Sequence, residues 1–416
     1  MRTRDRRSVR CIYCQSLNTV KNGSRTITAM GFGRKTTARV SRFRCLACGG
    51  YFSLRREKGQ RYTVGFKLEL ARMHVEERMS YRVMAKRIDE RFGKRVSPHA
   101  LCDMVNEVAA HAKGSLAMQR EFRPQWSGYL LLDDKNVSIR GKRVMSLVAV
   151  DKTGDALHSE MLERPEQEGF TDFVRFVVER LEYPLKGTTT DFDERFARAL
   201  KALNLGHILH QRCIWHGLQI VQQLMKHEVL RRRYHVLKSR LARAQENQED
   251  RKRYPDTSEL DQIAAELAAV EQVYLLQCEL LEHLRDILYE PDPAASQEMF
   301  VAFRRRYWRP YPRVVAWLEV NLELMLVHQL DANIPTTNNI AENLNKQMER
   351  RFKLIEAFQS LDTAWNYQTL IRNYLRFKPY TDCRGERRIY NGMSPLEVCG
   401  VVLEHRDWVK LATFWG

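Results

Sequence analysis

The sequence predicts a multidomain α+β protein on three observations: two Cys-x2-Cys pairs near its start, a central run of β-type segments and amphipathic helices, and long helical periodicity after that run. With 416 residues and 44% hydrophobic side chains, the chain can build several cores, which excludes general disorder. Lys and Arg number 69 against 51 Asp and Glu, a formal charge of +18. Residues 1–60 hold 15 basic and 2 acidic side chains, so +13 of that charge sits in the first segment. A balance this basic asks for a polyanionic partner such as nucleic acid. No apolar run reaches the roughly 18–20 residues of a membrane helix, and the first residues lack the apolar core of a signal peptide. The expectation is a cytoplasmic protein with no membrane partner.

Residues 1–60 read as a metal-stapled basic module. Cys11-x2-Cys14 and Cys45-x2-Cys48 supply four thiolates in two knuckles, the ligand set of structural Zn²⁺ in a zinc ribbon. Nine cysteines, four of them in tight pairs, favour metal over disulfides in a reducing compartment. Short strands are expected at Thr19–Lys21 and Ser24–Thr28 around an Asn22-Gly23 turn, and again at Thr37–Arg44. This extended hairpin carries Arg25, Arg34, Lys35 and Arg39 as DNA-binding candidates. So few large apolar residues imply that the module folds only with its metal. Gly31-Phe-Gly-Arg-Lys-Thr-Thr37 lacks the spacing of a phosphate loop, so no ATP site is expected.

Residues 61–112 turn helical. Val64, Leu68, Leu70, Ala71 and Val75 form an apolar stripe over Thr63–Glu77, Ser80 is placed to cap a helix over Tyr81–Phe92, and Ser97-Pro98 opens a third. The spacing is that of a helix-turn-helix unit, with Lys94, Arg95 and His99 at the entry of its third helix, where phosphate and base contacts are made. Asp103 and Glu107 on that helix would meet phosphates poorly. A small helical linker bundle is the competing reading.

The core is expected over residues 126–216. Tyr129–Leu132 is an apolar strand finishing at Asp133-Asp134. Arg143–Val150 and Ala156–Met161 follow across the turn Asp151-Lys-Thr-Gly154. A helix over Gln167–Leu181, a strand Gly187–Thr190 leading to Asp191, a helix over Glu194–Leu203 and a strand Ile208–Arg212 complete the run. The order β-β-β-α-β-α-β is that of an RNase H-like domain. In that order the first and fourth strands are neighbours, which sets Asp133 and Asp191 to hold a hard divalent ion through oxygen ligands. A third acid is expected from the helix that follows Thr336, where Glu342 and Glu349 share nearly one face, and periodicity alone does not choose between them. Between them, residues 217–333 read as an all-helical insertion, with long helices over Leu218–Arg243 and Glu259–Tyr289. The run Arg304-Arg-Arg-Tyr-Trp-Arg309 either grips DNA or is a cationic surface helix with a buried Trp. Residues 334–416 complete the core and add C-terminal helices.

Four segments taken together resemble the Mutator-like transposases, which include many prokaryotic insertion-sequence enzymes: WSGYLLLDDK at 126–135, TTTDFD at 188–193, QRCIWH at 211–216 and PTTNNIAENLNK at 335–346. The resemblance implies an Asp-Asp-Glu (DDE) triad that falls on Asp133, Asp191 and Glu342, binding Mg²⁺ or Mn²⁺. Glu342 is preferred because it sits in the T-N-N-x-x-E context. Asp134 stands where the family has a small or polar residue, so either carboxylate of that pair could serve. Cys213 and His216 match the family's C-x2-H signature and are read as site support, a packed thiol and a hydrogen-bonded imidazole. The implied function is DNA cleavage and strand transfer at the terminal inverted repeats of an insertion sequence, by a nucleoid-associated homo-oligomer acting on double-stranded DNA. The rivals are a non-catalytic DNA-binding regulator derived from a transposase, and a structure-selective nuclease on the same fold.

Overall fold

The computed structural model describes residues 9–11, 14–30, 35–53, 62–250, 258–355, 358 and 360–415. It is a mixed α+β structure with two sheets. The chain divides into two compact units: Met1–Lys113, Arg350–Tyr374 and His405–Gly416 in one, Gly114–Glu349 and Leu375–Glu404 in the other.

The first unit opens with strands β1 (Thr19–Met30), β2 (Lys35–Cys45) and β3 (Tyr51–Ser53), antiparallel and in sequence order. Asn22-Gly23, expected as a turn, is a bulge. The register slips between Lys21 and Ser24 while Gly23 takes a φ of 77°, and β1 runs straight through. Thr19 pairs with Cys45, so the foot of the hairpin returns the second cysteine pair to the first. Three helices follow. Helix α1 (Val64–Ala71) is capped by the Thr63 hydroxyl and extended by a π turn over Arg72–Glu76. The Ser80 hydroxyl caps α2 (Tyr81–Phe92), which stops at the left-handed Gly93. Ser97 and Pro98 start α3 (Pro98–Ala110), as their sequence pattern requires. Later residues complete the unit: Arg351, almost fully buried, donates from Nε to the Val75 carbonyl at 2.7 Å.

In the second unit, helix α4 (Ser115–Phe122) leads to the main sheet of β4 (Tyr129–Ile139), β5 (Lys142–Asp151), β6 (Ala156–Leu162), β7 (Gly187–Thr190) and β8 (Leu209–Arg212). Their order is β6-β5-β4-β7-β8, with β4 antiparallel to β5 and parallel to β7. The tight turns β4–β5 and β5–β6 make the antiparallel half. The parallel half needs crossovers, supplied by α5 (Gln167–Arg175, continued by a π turn to Arg180) and α6 (Glu194–Ala202). Phe170, Phe173, Val174 and Phe196 from these helices pack on Leu130, Leu132 and Leu147 of the sheet. Gly128, at a φ of 91°, admits the chain to β4 where a Cβ would lie 2.5 Å from the Pro184 carbonyl oxygen.

The helices α7 (Ile214–Leu224), α8 (His227–Asp250), α9 (Ser258–Tyr289), α10 (Pro293–Tyr307) and α11 (Pro312–Met325) follow. The helix expected over Leu218–Arg243 is two helices, broken where Lys226 adopts a φ of 53°. Ile214, Val221, Leu284, Leu288, Phe303 and Leu318 belong to their shared apolar core. Helix α12 (Asn339–Phe352) then carries the T-N-N-x-x-E segment, and α13 (Leu361–Phe377) follows. Among the described residues no helix is long and apolar enough to cross a membrane.

Candidate metal sites

The four N-terminal cysteines converge. Their sulfurs all lie within 4.8 Å of one another, with Cys11 to Cys48 at 3.7 Å and Cys14 to Cys45 at 3.5 Å. Thiolates bound at about 2.3 Å on a tetrahedral ion sit about 3.8 Å apart, so the tetrad could hold a structural metal such as zinc. The Cys48 backbone amide pulls the buried Cys45 thiol down to about 7, which prepares it as a thiolate. Around it the apolar cluster is small, Cys11, Cys45 and Phe52 with Val9 and Phe43. Chelation is therefore expected to abolish the ordered hairpin while the helical regions persist, as read by amide-proton dispersion before and after adding a strong zinc chelator.

The apolar run of β4 ends at Asp133, but the strand does not; it continues to Ile139. Asp133 therefore lies inside a paired strand, opposite Val148 of β5. On its other side β4 pairs Leu131 with Thr189 of β7, which ends one residue before Asp191, and the Asp191 charge reaches Asp133. Strand alternation sends Asp133 and Asp134 to opposite faces. Asp133, with 7% of its surface exposed, accepts a hydrogen bond from Asn345 Nδ2 of α12 at 2.7 Å. Burial pushes its carboxyl up to about 7; Asn345 opposes the shift, and the charges of Asp191, Asp134 and Glu342 add to it. Burial and the Asp191 charge also push Asp134 up, to about 6, but its opposing cation is Arg195 of α6 at 4.0 Å, and Glu342 is not among its neighbours of influence. Asp191 is held by an Asx turn, accepting the Asp193 amide at 2.9 Å.

Helix α12 separates its two glutamates. Glu349 binds the Lys135 ammonium of β4. Glu342 lies in the first turn, near Lys346 Nζ at 3.3 Å and His216 Nε2 at 3.6 Å, and its Oε1 is buried with no hydrogen-bond partner among the described residues. Asn338 fixes the start of the helix by donating from Nδ2 to the Leu132 carbonyl at 2.9 Å and from its amide to Cys213 Sγ at 3.3 Å. Asn338 and Asn345 went unassigned in the sequence; their signal was the N-x-x-x-E-x-x-N spacing, which puts both amides about one turn either side of Glu342. Asp133 is buried and feels the charges of Asp191 and Glu342, and carboxylates that repel one another are the kind a hard divalent ion takes. Their oxygens do not all fall within the 4.8 Å that the cysteine tetrad meets.

Cys213 and His216 stand on the entry to α7, and their ligand atoms gather with Glu342 within 4.8 Å. Burial pushes the Cys213 thiol up, against the amides of Asn338, His216 and Trp215.

Of the basic residues singled out on the N-terminal hairpin, Arg39 is exposed and donates to Ser24 Oγ at 2.7 Å. Arg34, and the side chains of Arg25 and Lys35, lie outside the described residues. Lys94, Arg95 and His99 are exposed at the entry of α3. Of the acids that would have opposed an anion there, Glu107 is engaged by Lys67 Nζ at 2.5 Å, while Asp103 is exposed 3.7 Å from His99. In the Arg304–Arg309 run it is Tyr307 that is buried, while Trp308 is 45% exposed.

The sheet thus has an aspartate on β4 and another just after the parallel β7, with Glu342 on α12, carboxylates of the kind that divalent cations take. Residues 276–373, which include Glu342, match the family model described as Transposase, Mutator family, so this stretch is similar to Mutator-like transposases. No curated protein matches the chain.

Proposed function

We propose that the chain is a DNA transposase of an insertion sequence, with an RNase H-like core, a helix-turn-helix in α1–α3 and a zinc ribbon ahead of it. The observation that carries the reading is the adjacency of Asp133 and Asp191 across β4 and β7, with Glu342 raising the proton affinity of Asp133 from inside the family-matched segment. Asp133, Asp191 and Glu342 would hold Mg²⁺ or Mn²⁺. A bound ion of this class polarises a phosphodiester and makes a hydroxyl a competent nucleophile near neutral pH. Asn345 keeps the Asp133 carboxylate aimed into the site, and the Lys346 ammonium offers a charge to an incoming phosphate. Asp133 is the ligand of its pair, because Asp134 points to the other face toward Arg195.

Double-stranded DNA is the partner the family implies. The exposed Lys94, Arg95 and His99 would meet it at the start of α3, and Arg25, Arg34, Lys35 and Arg39 on the hairpin. Joining two ends calls for a homo-oligomer on DNA. The test is a strand-transfer assay with DNA carrying the inverted repeats that border the gene. Cutting followed by joining supports the transposase, cutting alone a nuclease, and binding alone a regulator.

The raised proton affinity of Asp133 gives a pH prediction. Its carboxyl is protonated below about 7, and a proton excludes a cation, so Mg²⁺ affinity by calorimetry is expected to weaken by up to about tenfold per unit below pH 7. Asn345 stabilises the ionised form, so Asn345→Ala is expected to move this fall to higher pH. An unchanged profile in that variant would remove Asn345 from the site.

A further inference from the structure

We propose that Cys213, His216 and Glu342 form a second binding site for a transition-metal ion of the zinc class. The C-x2-H spacing places a sulfur and an imidazole on the first turn of α7, and the loop-to-helix junction at Asn338 brings α12 against them. Three chemically different ligand atoms then lie within 4.8 Å of one another. The His216 Nε2 to Glu342 Oε1 separation of 3.6 Å is close to the edge of a tetrahedral site, about 3.4 Å for nitrogen and oxygen ligands near 2.0–2.1 Å from the ion.

Two polar atoms support the reading independently. Glu342 Oε1 and His216 Nδ1 are both buried, and neither has a hydrogen-bond partner among the described residues. Leaving a buried carboxylate oxygen such as Glu342 Oε1 unsatisfied costs about 1–3 kcal/mol, a penalty that coordination by an ion removes. The ligand chemistry sets the class of ion. One thiolate, one imidazole and one carboxylate select zinc or cobalt over magnesium, which takes oxygen ligands and keeps its waters. Three protein ligands leave the fourth position open.

Occupancy does not depend on the chain's being a transposase. Its consequence does: Glu342 cannot serve this ion and the Mg²⁺ of the proposed acid site fully at once, so zinc here would act as a brake on the acid site.

The test is equilibrium dialysis of the full-length protein against Zn²⁺. Wild type is expected to retain two equivalents per chain, Cys213→Ser and His216→Ala one each, and the Cys11→Ser/Cys14→Ser pair one. The equivalent retained by Cys213→Ser shows that the N-terminal tetrad is intact. Loading with Co²⁺ gives a second readout: thiolate-to-metal absorption persists in Cys11→Ser/Cys14→Ser and disappears when Cys213→Ser is added. A single equivalent in wild type, or two in both Cys213→Ser and His216→Ala, overturns the site. The brake is read separately, as an apparent Mg²⁺ affinity at least tenfold weaker in zinc-loaded wild type than in zinc-loaded Cys213→Ser. Equal affinities would overturn the sharing of Glu342 while leaving the zinc site in place.

Discussion

Replacing Asp133 or Asp191 by Asn, or Glu342 by Gln, is expected to reduce metal-dependent DNA cleavage by at least about 10³-fold and to leave DNA binding nearly unchanged. Each change keeps the shape of the side chain and removes one negative oxygen. A divalent ion supplies several kcal/mol of charge stabilisation, and a loss of about 4 kcal/mol corresponds to a thousandfold in rate. Binding should survive because the basic side chains assigned to DNA lie on α3 and the N-terminal hairpin, outside the main sheet. Two controls make the prediction specific. Asp134→Asn and Glu349→Gln are expected to cost less than about tenfold, since Asp134 faces Arg195 and Glu349 is neutralised by Lys135. Cleavage of repeat-bearing DNA by each purified variant, beside a gel-shift measurement, reads both quantities. Wild-type cleavage by Asp133→Asn would refute the proposed acid site, and a collapse in Asp134→Asn alone would move it to the other face of β4.

The parts legible in the sequence are those set by local rules. Period-2 and period-3.6 apolar patterns place the start of β4, β5 to β8, α1 to α3, α5 and α6 within a few residues but not α4, and Ser80, Ser97 and Pro98 mark helix starts because their side chains act on the turn that follows them. The C-x2-C spacing carries its ligand geometry with it, so the tetrad of Cys11, Cys14, Cys45 and Cys48 was readable in full. What the sequence hid depends on partners far along the chain. Asp133 and Asp134 are indistinguishable until β4 is paired, because a strand gives its neighbours opposite faces without saying which is inside. Glu342 and Glu349 share a helical face, and only the seating of α12 on β4, through Asn338 and Asn345, sets Glu342 beside His216 and Glu349 against Lys135. Cys213 and His216 were read as site support alone, because the carboxylate that gathers with them, Glu342, comes from another helix. The run through Asn22-Gly23 was misread for a related reason: a bulge and a turn use the same residues, and the choice rests on the strand opposite.

The largest stability effect is expected at Asp155, just after the turn between β5 and β6. Both Asp155 and Arg376 are fully buried, and the guanidinium grips the carboxylate through Nε at 2.6 Å and Nη2 at 2.8 Å. Trp126 Nε1 donates to the same carboxylate at 2.9 Å. The neighbouring Asp151, also fully buried, takes the amide and hydroxyl of Ser127, those of Thr153 and the Tyr183 hydroxyl, so the turn is the polar hub on which the entry to β4 rests. Arg376→Met fills the space but strands a carboxylate in a dry interior, and is expected to cost about 3–5 kcal/mol. Asp155→Leu strands the guanidinium and should cost a similar amount. The double variant removes both charges at once and is expected to be markedly less destabilised than the sum of the singles, since a buried pair in which every charge is matched contributes little net stability against apolar replacements. Urea unfolding of the four proteins gives the coupling energy. Additive losses would mean that Arg376 acts through packing alone. A double variant more stable than either single would show that the pair is kept for placing the β5–β6 turn and Trp126 beneath the acid-bearing strand rather than for stability itself.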